Sequence, residues 1–115
     1  MAVIDHKTFE KQIRKSLPNL YRLAFGILHN RADAEDAVSE TLLRAYEKLH
    51  TLRKADHFHA WLMQIAANEA KTILLYFYER LSIPEIAKAL HISQGTVKSR
   101  LSRGKKLLRE KLSDH

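Results

Sequence analysis

Six polar residues fall at close helical spacing in the last third of the chain: Gln94, Thr96, Lys98, Ser99, Arg100 and Arg103. Amide, hydroxyl, ammonium and guanidinium groups of this kind hydrogen-bond base edges and phosphates. They can share one surface only if a helix carries them, and Ser93 is placed to cap such a helix from Gln94 to about Leu112. Just upstream, Ser82-Ile83-Pro84-Glu85 reads as a capping box, with Pro84 in the first turn, where its missing N–H costs little. That helix reaches Leu90, and His91-Ile92-Ser93 forms the turn to the next. Two short helices joined this way are a helix-turn-helix candidate. Ala87 is small where they cross, and Ile86, Leu90, Ile92, Val97 and Leu101 can fill the inside. The six polar residues then face outward, with Lys105 and Lys106 further along at phosphate-contacting positions. A plain helical hairpin would also have a polar outer face. It leaves unexplained why residues 93–111 carry seven basic side chains and Glu110 as their one acid.

A second constellation is acidic. Asp36, Glu40, Leu43 and Glu47 recur at i, i+4, i+7 and i+11, one face of a helix. The opposite stripe, Ala34, Ala37, Val38, Thr41, Leu42, Ala45 and Leu49, is the buried one, so Leu43 stands out of the core. An acidic face with an exposed leucine suits protein docking; an ordinary solvated face is the alternative. Asp33 is the expected N-cap, with Glu35 and Asp36 in the first turn, where the helix dipole favours negative charge.

The elements that position these groups are helical throughout, so the expected fold class is all-α. Residues 5–16 read as a weak first helix, and Pro18 opens a second through Leu20, Ala24, Ile27 and Leu28. Thr51 to His57 is polar and reads as a loop. A fourth helix follows with the stripe Phe58, Trp61, Leu62, Ile65 and Ala66. A chain of 115 residues with 45% hydrophobic residues can bury a core, which excludes disorder throughout. Without cysteine there is no disulfide framework, zinc-thiolate site or thiol nucleophile, and a reducing, cytoplasmic setting is expected. No long apolar run or secretory leader is evident. The seven histidines contain no i, i+4 pair, so no metal site is expected, and nothing points to a cofactor. Residues 72–115 hold nine basic and four acidic side chains against eleven and nine in 1–71; the excess positive charge calls for a polyanionic partner.

Three segments, in order, resemble a known family. Asp33–Leu49 (DAEDAVSETLLRAYEKL) looks like the polymerase-binding helix of sigma region 2, and Phe58–Ala70 (FHAWLMQIAANEA) like its promoter-melting helix. Leu81–Leu112 looks like sigma region 4. The order is that of the extracytoplasmic-function (ECF) sigma factors, which carry only these two regions. The resemblance implies a sigma factor that is not an enzyme, with core RNA polymerase, promoter DNA and an anti-sigma factor as partners and no small-molecule substrate. It implies polymerase contacts at Asp33, Asp36, Glu40 and Arg44, on the face that also holds Leu43 and Glu47. It implies a minus-10 site in which the loop Thr51–His57, with Arg53, Lys54 and Asp56, captures a flipped base, and Trp61, Gln64, Asn68 and Lys71 follow the single strand. Gln94, Thr96, Lys98, Ser99, Arg100 and Arg103 match the minus-35 reading helix. A tryptophan beside Leu62 and Ile65 also suits a core.

The sequence departs from the family pattern in places. His91 stands where a turn glycine is usual, and histidine tolerates the left-handed conformation better than most residues. His57 and His59 replace small or basic residues. Most unusual is the junction. Lys71 ends the region 2-like part (1–71), and Thr72 at once begins the region 4-like part (72–115), with on the order of fifty linker residues absent. Either an unseen segment separates Lys71 from Thr72, which is the expectation, or the chain carries an internal deletion. A segment predicts a Cα separation far above about 3.8 Å and packing of Ile73–Tyr78 on Ile86, Leu90 and Leu101. A deletion predicts a single fused rod of about 23 residues, since no Pro or Gly lies between Phe58 and Arg80. A stand-alone helix-turn-helix regulator would account for the C-terminal half only. A helical protein-interaction module with no DNA role, such as an inactive sigma mimic, predicts salt-insensitive partner binding. No nucleophile–base pairing or phosphate loop supports an enzyme.

Overall fold

The computed structural model describes residues 4–101. Among them there are helices and turns and no strand. The first helix, α1, runs unbroken over His6–Leu28 with Pro18 inside it, so the two helices expected on either side of Pro18 are one. The reason is the stripe Phe9, Ser16, Leu20, Ala24 and Leu28, which is buried on both sides of an exposed Pro18. Packing along the whole stripe outweighs the penalty of about 3 kcal/mol that an interior proline imposes. Asp5 caps α1 by accepting the Thr8 N–H (2.8 Å), and this bond holds its carboxyl below the usual range. His29 ends the helix in the left-handed conformation.

Helix α2 spans Arg31–Glu47. Its N-cap is Asn30, whose side chain accepts the Asp33 N–H at 2.9 Å; Asp33 lies in the first turn instead of capping. An asparagine in extended backbone ahead of the stripe caps as well as aspartate and starts the helix earlier. Two 3₁₀ turns, Leu49–Thr51 and Ala55–His57, bracket the expected loop, which buried Leu52 anchors. Helix α3 covers Phe58–Ile73 and packs with α1 and α2 as a three-helix bundle. Its core includes Leu20, Val38, Ala45, Phe58, Leu62 and Ala66.

The chain is continuous through Lys71–Thr72. The N–H of Leu74 donates to the carbonyls of Ala70 and Lys71, and helical structure persists as a π-helical segment over Leu74–Tyr78. This corrects the expectation of an unseen segment: the two parts are fused by one helical run. It ends where Arg80 takes the left-handed conformation (φ 56°). The wide π turn spreads successive apolar residues over two cores. Ile73 and Leu74 pack on the bundle, whereas Leu75, Tyr76 and Phe77 pack on a second, smaller core of Ile86, Ala87, Val97 and Leu101. Tyr78 joins neither; its exposed ring sends the hydroxyl to donate to Asp33.

Helix α4 spans Ile83–Leu90 and opens on the expected capping box, Ser82 and Glu85 each accepting the other's backbone N–H (3.2 and 2.9 Å). His91 adopts the left-handed conformation (φ 57°), and the Ile92 N–H closes the turn on the Ala87 carbonyl at 3.0 Å. Ser93 caps the next helix, α5, through the Thr96 N–H (3.1 Å); its described part is residues 94–101.

Candidate nucleic-acid interface

The loop between α2 and α3 forms one wall of an open groove of about 500 Å³, lined by Thr51, Leu52, Arg53, Lys54, His57, Ala60 and Trp61. Leu52 pins the loop from below, while Arg53, Lys54 and Asp56 project to solvent. Trp61 is half-buried. It packs on the bundle core with its ring centroid 5.7 Å from that of Phe58, and it still lines the groove. An apolar ring beside two cations offers what an unstacked base needs: a stacking surface and a place for its phosphate. Further along α3, Gln64 is exposed and donates to Asn68 at 3.3 Å, and Lys71 is exposed. Sequence reasoning thus placed Trp61, Gln64, Asn68 and Lys71 on one helix leading away from the groove.

The helix-turn-helix is assembled as expected around Ile86, Val97 and Leu101, with Leu90 and Ile92 partly buried. Gln94, Lys98 and Ser99 are exposed, and Thr96 is half-buried with its hydroxyl 2.8 Å from that of Ser93. Arg100 is a correction. It was expected outward but is only 9% exposed, because it turns toward Glu69 of α3. Burial lowers its pKa, Glu69 opposes the shift, and Arg44 adds to it. Arg103, like Lys105 and Lys106, lies outside the described residues.

On α2, Leu43 is 46% exposed and Glu47 is exposed, while Asp33, Asp36 and Glu40 are half-buried. Arg44 is the second correction: it is buried and ion-paired with Glu69 instead of lying on the docking face. Sequence reasoning missed Glu69 altogether. The available signal was its position: Glu69 follows Leu62 by seven residues, on the buried stripe of α3, just as Arg44 sits between Thr41 and Ala45 on that of α2.

A groove lined by basic and aromatic side chains and a helix-turn-helix occur together in one all-α chain, features found in DNA-binding transcription proteins. The Sigma-70 region 2 family matches residues 12–75, and the Sigma-70 region 4 family matches residues 58–108. The chain belongs to the sigma-70 family of transcription initiation factors, with the two regions of the ECF type. It is similar to RNA polymerase sigma-H factor of Pseudomonas aeruginosa, 30% identical over 71 residues, which are 62% of this chain and 37% of that protein. It is similar to SigV of Bacillus subtilis, 26% identical, covering 97% of this chain and 89% of that protein. The ECF sigma factor SigE of Mycolicibacterium smegmatis is 24% identical, covering 94% of this chain and 63% of that protein. Among solved structures, the sigma factor RpoE of Bartonella quintana, seen with the anti-sigma factor NepR, has a TM-score of 0.49 at 21% identity, over 93% of this chain and 98% of that one. The SigV alignment runs over 158 positions, more than the 115 residues here, so that relative carries internal sequence this chain lacks. The two family matches overlap over residues 58–75, the stretch shared by the fused helix. Among the described residues no helix is long and apolar enough to cross a membrane.

Proposed function

We propose that this chain directs RNA polymerase to promoters, acting in the cytoplasm as a non-enzymatic initiation factor and held in check by an anti-sigma partner. The observation that carries the reading is the groove at Arg53, Lys54, His57 and Trp61, at the place in region 2 where a flipped minus-10 base would be held. Residues 1–71 supply this groove and the polymerase face; residues 72–115 supply the duplex reader. The two cores part between Leu74 and Leu75, three residues beyond that division, with Ile73 and Leu74 on the first core. The polymerase face on this reading is Asp33, Asp36, Glu40, Leu43 and Glu47, with Arg44 acting from beneath through Glu69. Gln94, Lys98 and Ser99 are the first candidates for the minus-35 element. A stand-alone helix-turn-helix regulator is disfavoured, since the region 2 match covers more of the chain than the region 4 match. The test is transcription with core polymerase on a promoter library. Discrete promoter-dependent transcripts that disappear on charge reversal at Asp36 and Glu40, in a protein of unchanged helicity, are expected; no transcripts above core polymerase alone would end the proposal.

A further inference from the structure

The buried ionic cluster at α2, α3 and α5 carries one positive charge too many. Arg44 of α2 pairs with Glu69 of α3, and Arg100 Nε of α5 lies 3.8 Å from the same carboxylate oxygen. All three side chains are under a tenth exposed. Among the described residues neither arginine has a second acid within ion-pair distance, and the charged groups acting on Arg100 are Glu69 and Arg44. Two guanidiniums therefore share one carboxylate. A lysine or histidine buried this way would shed its proton; an arginine keeps it. Arg44 Nη2 and Arg100 Nη1 also donate to no acceptor among the described residues. A water would satisfy these N–H groups and leave the surplus charge. A second anion answers both needs.

We infer that Arg44 and Arg100 form a binding site for a small oxyanion of the phosphate class, with Glu69 as the shared counter-charge that keeps the two guanidiniums close. The planar guanidinium edge suits this ligand, since its parallel N–H groups match two oxygens of a tetrahedral anion. Burial selects the ligand's size. With 7% of the Arg44 side chain and 8% of that of Arg100 exposed, the site suits a free inorganic ion and shuts out a phosphate held in a nucleic-acid backbone. Glu69 sets the affinity as well. It repels the ligand while it attracts the arginines, so its charge weakens binding and its removal strengthens it. The inference invokes neither polymerase nor DNA and stands apart from the proposed function.

The test titrates inorganic phosphate into the full chain at constant ionic strength, with chloride as the balancing anion. Calorimetry reads binding, and circular dichroism reads the unfolding temperature. Saturable binding of one phosphate per chain is expected, and the unfolding temperature should rise by about 4 °C or more once phosphate exceeds its dissociation constant about tenfold. Arg100→Gln should weaken binding at least about tenfold and cancel the rise. Arg100→Lys keeps the charge but not the two-pronged edge; it should weaken binding at least about threefold, and it decides alone if Arg100→Gln fails to fold. Glu69→Gln should bind phosphate at least about fivefold more tightly. A rise that never saturates, or that the Arg100 variants leave intact, marks an adventitious ion only and overturns the site. Binding by Glu69→Gln no tighter than wild type, in a protein of unchanged helicity, overturns it too. If Glu69→Gln fails to fold, the Arg100 variants settle the matter. In a last arm a mixed-sequence duplex is added to the phosphate-bound protein. Bound phosphate should stay in place; its displacement would assign the two arginines to a nucleic-acid backbone and overturn the free-ion site.

Discussion

Replacing Pro18 with alanine should make this protein more stable. Pro18 lies inside α1, with α-helix on both sides, on the solvent face. Its nitrogen cannot donate to the Arg14 carbonyl, and its ring crowds that carbonyl. Alanine restores the bond and removes the crowding, a difference of about 3 kcal/mol in a helix interior. The unfolded chain regains freedom at the same time, which offsets about 0.4–1 kcal/mol. No buried contact is lost, because the stripe Phe9, Ser16, Leu20, Ala24 and Leu28 faces the other way. The net gain expected is about 2–2.6 kcal/mol, and a gain of 1 kcal/mol raises Tm by about 4–8 °C in a domain this small. Urea unfolding followed by far-UV circular dichroism reads it directly: the midpoint should rise with the slope unchanged. Had Pro18 stood in the first turn of a separate helix, its missing N–H would have cost nothing, and alanine would be neutral or harmful. A fall in stability or helicity would therefore refute the unbroken α1.

Trp61→Ala should weaken binding of a mixed-sequence single-stranded oligonucleotide by about 5- to 150-fold, the loss of one base–aromatic stack of about 1–3 kcal/mol, with Trp61→Phe retaining most of it; equal affinities in an anisotropy titration would remove the groove from the minus-10 site. Glu85 has its pKa lowered by the Ser82 N–H, so its contribution is fully present above the unfolded value and is lost as pH falls through the folded one. The stability difference between wild type and Glu85→Gln should accordingly shrink toward zero from pH 6 to pH 3 in a denaturation series, and a difference that grows in acid would contradict the capping box.

Much of the fold was legible because local signals and burial agreed. The capping box at Ser82 and Glu85, the left-handed His91, and the insides of α4 and α5 all follow from residue type and spacing. So does the exposure of Leu43 opposite a stripe that buries Val38 and Thr41. Pro18 misled because its local preference opposes the packing of a long stripe, and packing prevailed. Arg44, Glu69 and Arg100 misled for another reason. Charge type argues for the surface, and only three-dimensional convergence gives each of them a partner inside. Periodicity did mark Glu69 as inward, but without α2 and α5 beside it there was nothing to pair it with. The groove was legible as a loop followed by Trp61; its depth depends on Leu52 being drawn into the core, which no local pattern announces.

If both parts contact DNA as proposed, the fused helix sets how far apart they can act. Minus-10 and minus-35 elements lie about 25 base pairs apart, roughly 85 Å along a duplex. The described protein measures 39 Å in its longest direction. Freeing Arg100 from Glu69 does not close the difference, because Phe58 to Tyr78 is one helical run of roughly 31 Å, and the residues from Glu79 to Ser82 add about 13 Å when fully extended. On the proposed function, one copy of this chain would therefore reach either element but not both while the run stays intact. Inserting a Gly/Ser segment of about fifty residues after Lys71 supplies a root-mean-square reach of about 40 Å and a much longer contour, at a small added closure entropy. With core polymerase, transcription by the inserted protein should fall when either element is scrambled. The unmodified protein should gain nothing from having both elements at once, so that promoters carrying either one alone are used as well as promoters carrying both. Equal dependence on both elements without the insertion would mean that the π segment at Leu74–Tyr78 unwinds on the promoter, and would refute rigid coupling of the two parts.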